Sequence, residues 1–123
     1  MDWSKYPNFS EDEFKCSHTG KCAMDASFMD KLQALRSELA EAMTVTSGYR
    51  DTSHPVEASK GRPGTHTRGI AVDIACDGQQ AYRIMALAMK HGFTGIGVSQ
   101  SGGGRFLHLD TFNGGPRPNV WSY

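Results

Sequence analysis

The sequence predicts a single α+β domain in which helices pack against a small, antiparallel-type sheet. Three observations support this class: two segments carry apolar residues at helical spacing, several short runs alternate apolar and polar residues, and a glycine-rich turn joins two such runs. The 123 residues are enough for one hydrophobic core and too few for two independent lobes. We therefore treat residues 1–123 as one domain.

The first half of the chain contains one predicted helix and one predicted strand. Asp25 is a suitable N-cap for a helix over residues 26–41. Four apolar residues recur there at helical spacing and form the expected core face: Phe28, Leu32, Leu35 and Leu39. The β-branched run at residues 44–46 predicts a short strand, after which the chain turns and presents Arg50.

Residues 51–69 show little periodicity and predict a long loop. Four residues in it interrupt regular structure: Pro55, Gly61, Pro63 and Gly64. Long ordered loops in small domains are usually functional, so this segment is expected to border a site.

The second half predicts a strand, a helix and a hairpin. In residues 70–75 the large aliphatic side chains alternate with smaller ones, so Asp73 lies on the face opposite Val72 and Ile74. A helix is expected over residues 79–91, with Asp77 near its start and Gly92 past its end.

Two strands, at residues 95–99 and 105–111, are predicted to form an antiparallel hairpin around the glycines 102–104. In the second strand His108 and Asp110 share one face, opposite the two leucines at 107 and 109.

The charge balance argues against two classes of partner. Thirteen basic residues offset thirteen acidic ones, so no net field attracts nucleic acid or an anionic membrane. The sequence shows neither the pattern of a signal peptide nor an apolar run of about 18 residues. We expect a protein made in the cytosol, without stable membrane association.

The three cysteines do not predict a disulfide framework, because their number is odd. Cys16 and His18, followed by Cys22, could belong to a zinc knuckle, yet no second pair completes a four-ligand site. The alternative is that these cysteines are small, partly buried residues of an N-terminal loop.

The strongest functional signal is His66 and Asp73, separated by a glycine-containing turn, followed 35 residues later by His108. Imidazole and carboxylate are zinc ligands, and three protein ligands leave a tetrahedral position for water, as in catalytic sites. Taken singly, each residue is also compatible with a hydrogen-bonded or solvated side chain. His91 is expected at a helix C-terminus, where the dipole favours a cation, and His54 is a candidate for substrate contact.

These motifs resemble the zinc D-alanyl-D-alanine carboxypeptidase family, part of the LAS group of metallopeptidases, and the similarity is greatest to its short, phage-type members. Three motifs carry the resemblance: Ser47-Gly48-Tyr49-Arg50, His66-x-x-Gly69-x-Ala71-x-Asp73-Ile74 and Phe106-Leu107-His108-Leu109-Asp110. Two further segments extend it towards both ends of the chain: Phe9-Ser10-x-x-Glu13-Phe14 and Arg117-Pro118-x-x-Trp121-Ser122-Tyr123.

The resemblance implies a hedgehog/D-Ala-D-Ala-peptidase-like fold, in which His66, Asp73 and His108 bind Zn²⁺. It also implies that Arg50 grips a substrate carboxylate or carbonyl, a role that suits a planar guanidinium. Related enzymes place an acid or a histidine shortly before the last metal ligand, where this chain has Arg105 and Phe106. Asp110 is then expected to act as the general base, or alternatively to orient His108 or Arg50.

The implied function is hydrolysis of peptidoglycan stem peptides, with D-alanine-containing bonds first in line. A monomeric phage endolysin, released from the host cytoplasm to the cell wall on lysis, fits the resemblance. The rival hypothesis is a non-catalytic zinc module that binds wall peptides or forms part of a virion. Loss of the usual acid or base before the last ligand favours this rival.

Overall fold

The computed structural model describes residues 1–60 and 64–123. A five-stranded sheet has the order β1-β2-β4-β3-β5. Its strands are β1 Thr44–Ser47, β2 Ala71–Ala75, β3 Gly95–Ser99, β4 Phe106–Asp110 and β5 Asn119–Ser122. The helices are α1 Ala26–Leu39, α2 Pro55–Ala58 and α3 Gly78–Lys90, preceded by short 3₁₀ helices at Trp3–Lys5 and Glu11–Phe14. The α+β class predicted from the sequence is confirmed.

The ends of the two long helices follow from local chemistry. Asp25 caps α1, since its Oδ2 accepts a hydrogen bond from the backbone N–H of Phe28 at 2.9 Å. The helix ends at Leu39, two residues before the predicted end, because Ala40 adopts a left-handed conformation with φ of 58°. Gly92, with φ of 84°, follows α3 as predicted.

The predicted hairpin of β3 and β4 is confirmed, and β4 also pairs antiparallel with β2. In this register His108 lies opposite Asp73 on one side and Gly97 on the other. The sequence did not predict β5, which pairs parallel with β3 at the sheet edge and makes the sheet mixed. Its four residues are mostly exposed and are held by main-chain pairing, which leaves no strong apolar pattern in the sequence.

The core lies between one face of the sheet and the two long helices. Its central side chains are fully buried: Phe28, Leu32, Leu35, Val72, Ile74, Ile84, Leu107 and Leu109. Burying each such side chain contributes about 1.5–3 kcal/mol, and a one-residue slip of a strand would expose its whole set. The core therefore fixes the register that places Asp73 and His108 on the opposite face.

The predicted loop at residues 51–69 contains one turn of helix, α2, and in this detail the expectation of an irregular segment was wrong. His54 starts the turn, because its Nδ1 accepts from the backbone N–H of Val56 at 3.1 Å, and Pro55 occupies the first helical position. Gly61 and Pro63, cited above as helix-breaking residues, lie outside the described residues.

Among residues 1–60 and 64–123, no helix is both long enough and apolar enough to cross a membrane.

Candidate metal centre

Three side chains converge on the sheet face opposite the core. Asp73 Oδ1 lies 3.3 Å from His66 Nε2 and 3.2 Å from His108 Nδ1. The three potential ligand atoms all lie within 4.8 Å of one another. Zinc–ligand bonds of about 2.0–2.1 Å place tetrahedral ligands about 3.3 Å apart, so the two closest separations suit a shared metal ion. The residues brought together are the three that the sequence predicted.

His66 reaches the centre from the turn that precedes β2. Its Nδ1 lies 2.8 Å from the carbonyl oxygen of Gly48. A carbonyl only accepts, so Nδ1 carries the proton and Nε2 keeps its lone pair for a metal. Gly69 closes this turn with φ of 72°, and a Cβ there would lie 3.0 Å from the Cα of Met24. The predicted close backbone turn at Gly69 is thus confirmed.

His108 is oriented in the same way from the other side. Its Nε2 lies 2.7 Å from Asp110 Oδ2, while its Nδ1 faces Asp73. An ionised carboxylate accepts hydrogen bonds, so Nε2 donates and Nδ1 is left for the metal. Both histidines are 5% exposed, and the acceptor beside the outer nitrogen of each favours the tautomer that a metal ligand requires.

Asp73 supplies the negative charge of the centre. In the metal-free protein, burial alone would raise the pKa of its carboxyl, but hydrogen bonds from the protonated rings of His108 and His66 and their charges hold it well below the ordinary value. Its second oxygen, Oδ2, lies 3.3 Å from Arg50 Nη2. The carboxylate is therefore ionised and linked to the residue predicted to contact substrate.

Arg50 lies between two acidic side chains. Besides Asp73, its guanidinium approaches Glu57, with Nη1 3.6 Å from Oε2. Glu57 is 5% exposed and accepts hydrogen bonds from Thr67 Oγ1 at 2.9 Å and from the backbone N–H of Gly64 at 3.3 Å. Burial acts to raise the pKa of Glu57, yet hydrogen bonds from Lys60 and Thr67 lower it. The sequence had not predicted Glu57 as an anchor for Arg50, because only the folded loop brings the two together.

Asp110 is fully buried, and its oxygens accept four hydrogen bonds. Oδ1 accepts from the backbone N–H of Phe112 and from Arg117 Nε, both at 3.2 Å. Oδ2 accepts from His108 Nε2 at 2.7 Å and from Arg117 Nη2 at 3.0 Å. A carboxylate has about four lone-pair sites, so the hydrogen-bonding capacity of Asp110 is filled.

His54 does not join this cluster. Its Nδ1 caps α2, and its Nε2 lies 3.3 Å from Ser17 Oγ in the N-terminal loop. A substrate contact by His54 therefore stays a prediction. His91 pairs with Glu38 across the helix pair, with Nε2 2.8 Å from Oε1, which supports the structural role expected for it.

The alternative zinc knuckle is not assembled. Within the part of the chain that the structure describes, the group of histidine, cysteine and acidic residues close enough to share a metal is the cluster of His66, Asp73 and His108. Cys16 is buried and accepts from the backbone N–H of Asp51 at 3.3 Å, which agrees with the reading of a small loop residue.

The end of the chain borders the metal centre. The ring of Trp121 packs on His108 at 5.4 Å between centroids, and Tyr123 packs on Phe106 at 5.3 Å. No role for Trp121 or Tyr123 followed from the sequence, because β5 was not predicted.

Two imidazoles and an ionised carboxylate form a candidate metal centre with an open position, and a neighbouring arginine adds the anion-binding group that metallohydrolases use. The chain belongs to the Peptidase M15 family, whose model matches residues 7–110. This family of metallopeptidases includes D-Ala-D-Ala carboxypeptidases. The match covers every element from the 3₁₀ helix at Glu11–Phe14 to β4, and it ends before the segment that carries Arg117 and Trp121. Comparison with curated proteins gives no match.

Proposed function

We propose that this peptidase is zinc-dependent and hydrolyses the peptide stems of bacterial peptidoglycan, at bonds that contain D-alanine. The observation that carries the proposal is the set of three potential ligand atoms within 4.8 Å of one another in a chain of the M15 family. The outer ring nitrogens of both histidines have acceptor partners, the Gly48 carbonyl and the Asp110 carboxylate, which favours the tautomer whose inner nitrogen can bind a divalent cation beside Asp73. Three ligands leave one position for water or substrate.

Different residues of the chain have different roles around the open coordination position. Zinc, when bound, supplies Lewis-acid activation of the scissile carbonyl and of water. Arg50 is held on two sides by Asp73 and Glu57, which leaves other N–H groups of its guanidinium for a substrate carboxylate or carbonyl oxygen. That arrangement binds substrate and stabilises negative charge on the reacting carbonyl.

For Asp110 we propose that its main task is to orient His108. Its burial and its four hydrogen bonds support this role, because accepting a proton from water would require breaking one of those bonds. The general-base role of Asp110 stays a prediction. Asp110→Asn separates the two roles: loss of a base lowers turnover about 10²–10⁴-fold with zinc retained, whereas loss of an orienting group lowers zinc affinity about 10–100-fold.

The biological setting we propose is that of a monomeric phage endolysin, made in the cytoplasm of the host and released to the wall on lysis. The family resemblance of the short chain supports this setting. A non-catalytic zinc module that binds wall peptides is the second candidate, favoured by Arg105 and Phe106 at positions where relatives have an acid or a histidine.

The decisive experiment is digestion of purified peptidoglycan and of a synthetic stem pentapeptide, followed by mass spectrometry. We expect the zinc-loaded protein to release D-alanine or to cut a cross-link containing it, and we expect neither the chelated protein nor Asp73→Asn to do so. Binding of wall fragments by zinc-loaded protein without any cleavage would favour the non-catalytic module.

A further inference from the structure

Arg117, in the segment between β4 and β5, binds the carboxylate that pairs with the last metal ligand. Its guanidinium binds Asp110 at two points, with Nε 3.2 Å from Oδ1 and Nη2 3.0 Å from Oδ2. The side chain of Arg117 is 14% exposed, and that of Asp110 is fully buried. This is the two-point pairing in which arginine fixes the plane of a carboxylate as well as its charge.

Two aromatic rings pack against Arg117. Its guanidinium carbon lies 5.5 Å from the centre of the Phe112 ring and 4.8 Å from that of Trp121. Trp121 also packs on the ring of His108. Arg117 thus reaches the last metal ligand through the carboxylate of Asp110, and Trp121 packs on both Arg117 and His108.

The carboxylate of Asp110 has no freedom to move away from this arrangement. It lies against the backbone of β3, where a Cβ added at Gly95 would sit 2.6 Å from Asp110 Cγ. With Arg117 in place, Oδ2 is aimed at His108 Nε2. Without it, a fully buried carboxylate would lose two of its four hydrogen bonds, and only the bonds from His108 and from the backbone N–H of Phe112 would still hold its orientation.

We propose that Arg117 is a positioning residue of the metal centre: by holding Asp110, it fixes the ring of His108 so that Nδ1 faces the metal. The inference rests on the proposed metal site and extends it to a residue that lies outside the family match. The competing explanation is that Arg117 only fastens the end of the chain to the sheet, which would affect stability without affecting the metal.

The variants to compare are Arg117→Gln, Arg117→Lys and, as matched control, Arg68→Gln. Arg68 also stacks on Phe112, at 5.1 Å, but pairs with no carboxylate within residues 1–60 and 64–123. Each variant is loaded with Co²⁺ for its visible absorption spectrum, and Zn²⁺ affinity is measured by competition with a chromophoric chelator. Thermal unfolding of the metal-free proteins reports stability separately.

We expect Arg117→Gln to weaken Zn²⁺ binding about 10–100-fold and to change the Co²⁺ spectrum, with Arg68→Gln unchanged in both. Arg117→Lys keeps the charge but loses the two-point pairing, so its Zn²⁺ affinity should lie between that of wild type and that of Arg117→Gln. In the double variant Asp110→Asn/Arg117→Gln, affinity should fall no further than in Asp110→Asn alone, because Arg117 acts through Asp110.

Wild-type Zn²⁺ affinity and an unchanged Co²⁺ spectrum in folded Arg117→Gln would overturn the inference. If Arg117→Gln does not fold, Arg117→Lys decides in the same way. These measurements need no turnover, so they test the role of Arg117 separately from the proposed function. A wild-type protein that binds Zn²⁺ without cleaving stem peptide would refute the proposed hydrolysis of stem peptides and leave the role of Arg117 intact.

Discussion

Gly95→Ala should disrupt the metal centre from the strand behind it. A Cβ at position 95 would lie 2.5 Å from Asp110 Oδ2 and 2.6 Å from Cγ, against ordinary contacts of 3.4 Å or more. The carboxylate cannot yield cheaply, because four hydrogen bonds hold it, and β3 is paired on both sides. Either the strand or the carboxylate must therefore shift by nearly an ångström.

The loss of stability depends on whether β3 or the Asp110 carboxylate moves. Overpacking of a rigid interior costs about 1–3 kcal/mol, and weakening one hydrogen bond to a charged group costs about 1.5–3 kcal/mol. A total near 3 kcal/mol would lower the Tm of a domain of this size by about 10 °C. Because the displaced carboxylate is the partner of His108, zinc affinity should fall as well.

Thermal unfolding of metal-free protein and zinc competition measure the two effects. Gly103→Ala is the matched control, since nothing lies within 4 Å of a Cβ there and its backbone is not left-handed. A Tm for Gly95→Ala within about 2 °C of wild type, with zinc affinity retained, would show that Asp110 moves freely and is not locked as described.

Three further predictions concern the ligands and their neighbours. Replacing any one of His66, Asp73 and His108 by alanine should reduce zinc content well below one per chain, and metal analysis showing full retention in all three would refute the site. Arg50→Lys should keep zinc but lower kcat/KM for a stem peptide, because an ammonium lacks the planar grip; equal kinetics would remove Arg50 from the substrate site. Burial lowers the pKa of His108, but bonding to Asp110 and Asp73 outweighs this and raises it above its ordinary value of about 6.5. The stabilisation from protonated His108 in metal-free protein is then complete below about pH 6.5 and lost as pH rises through the raised pKa, while zinc affinity rises over the same interval. Melting curves with chelator across that interval, showing a Tm that increases with pH, would contradict it.

The sequence by itself determined the elements that depend on local pattern. Helical spacing and the cap at Asp25 predicted α1, and alternation in β2 and β4 predicted that Asp73 and His108 face away from the aliphatic core. Residue types and spacing made His66, Asp73 and His108 candidate ligands, strand alternation placed Asp73 and His108 on one face, and the family resemblance implied that the three bind one metal. Helical spacing, capping and strand alternation depend on residues close in the chain, so they can be predicted from the sequence alone.

Only the tertiary structure decided what surrounds the ligands. Glu57 meets Arg50, and Arg117 meets Asp110, through a loop and an edge strand whose paths depend on long-range contacts. β5 carries no strong apolar period, because main-chain pairing with β3 holds it at the edge. The role of Asp110 likewise depends on burial and on the number of hydrogen bonds it accepts. Neither the burial of Asp110 nor its number of hydrogen bonds exists until distant segments have packed together. For this physical reason the sequence left both roles of Asp110, general base and orienting group, open.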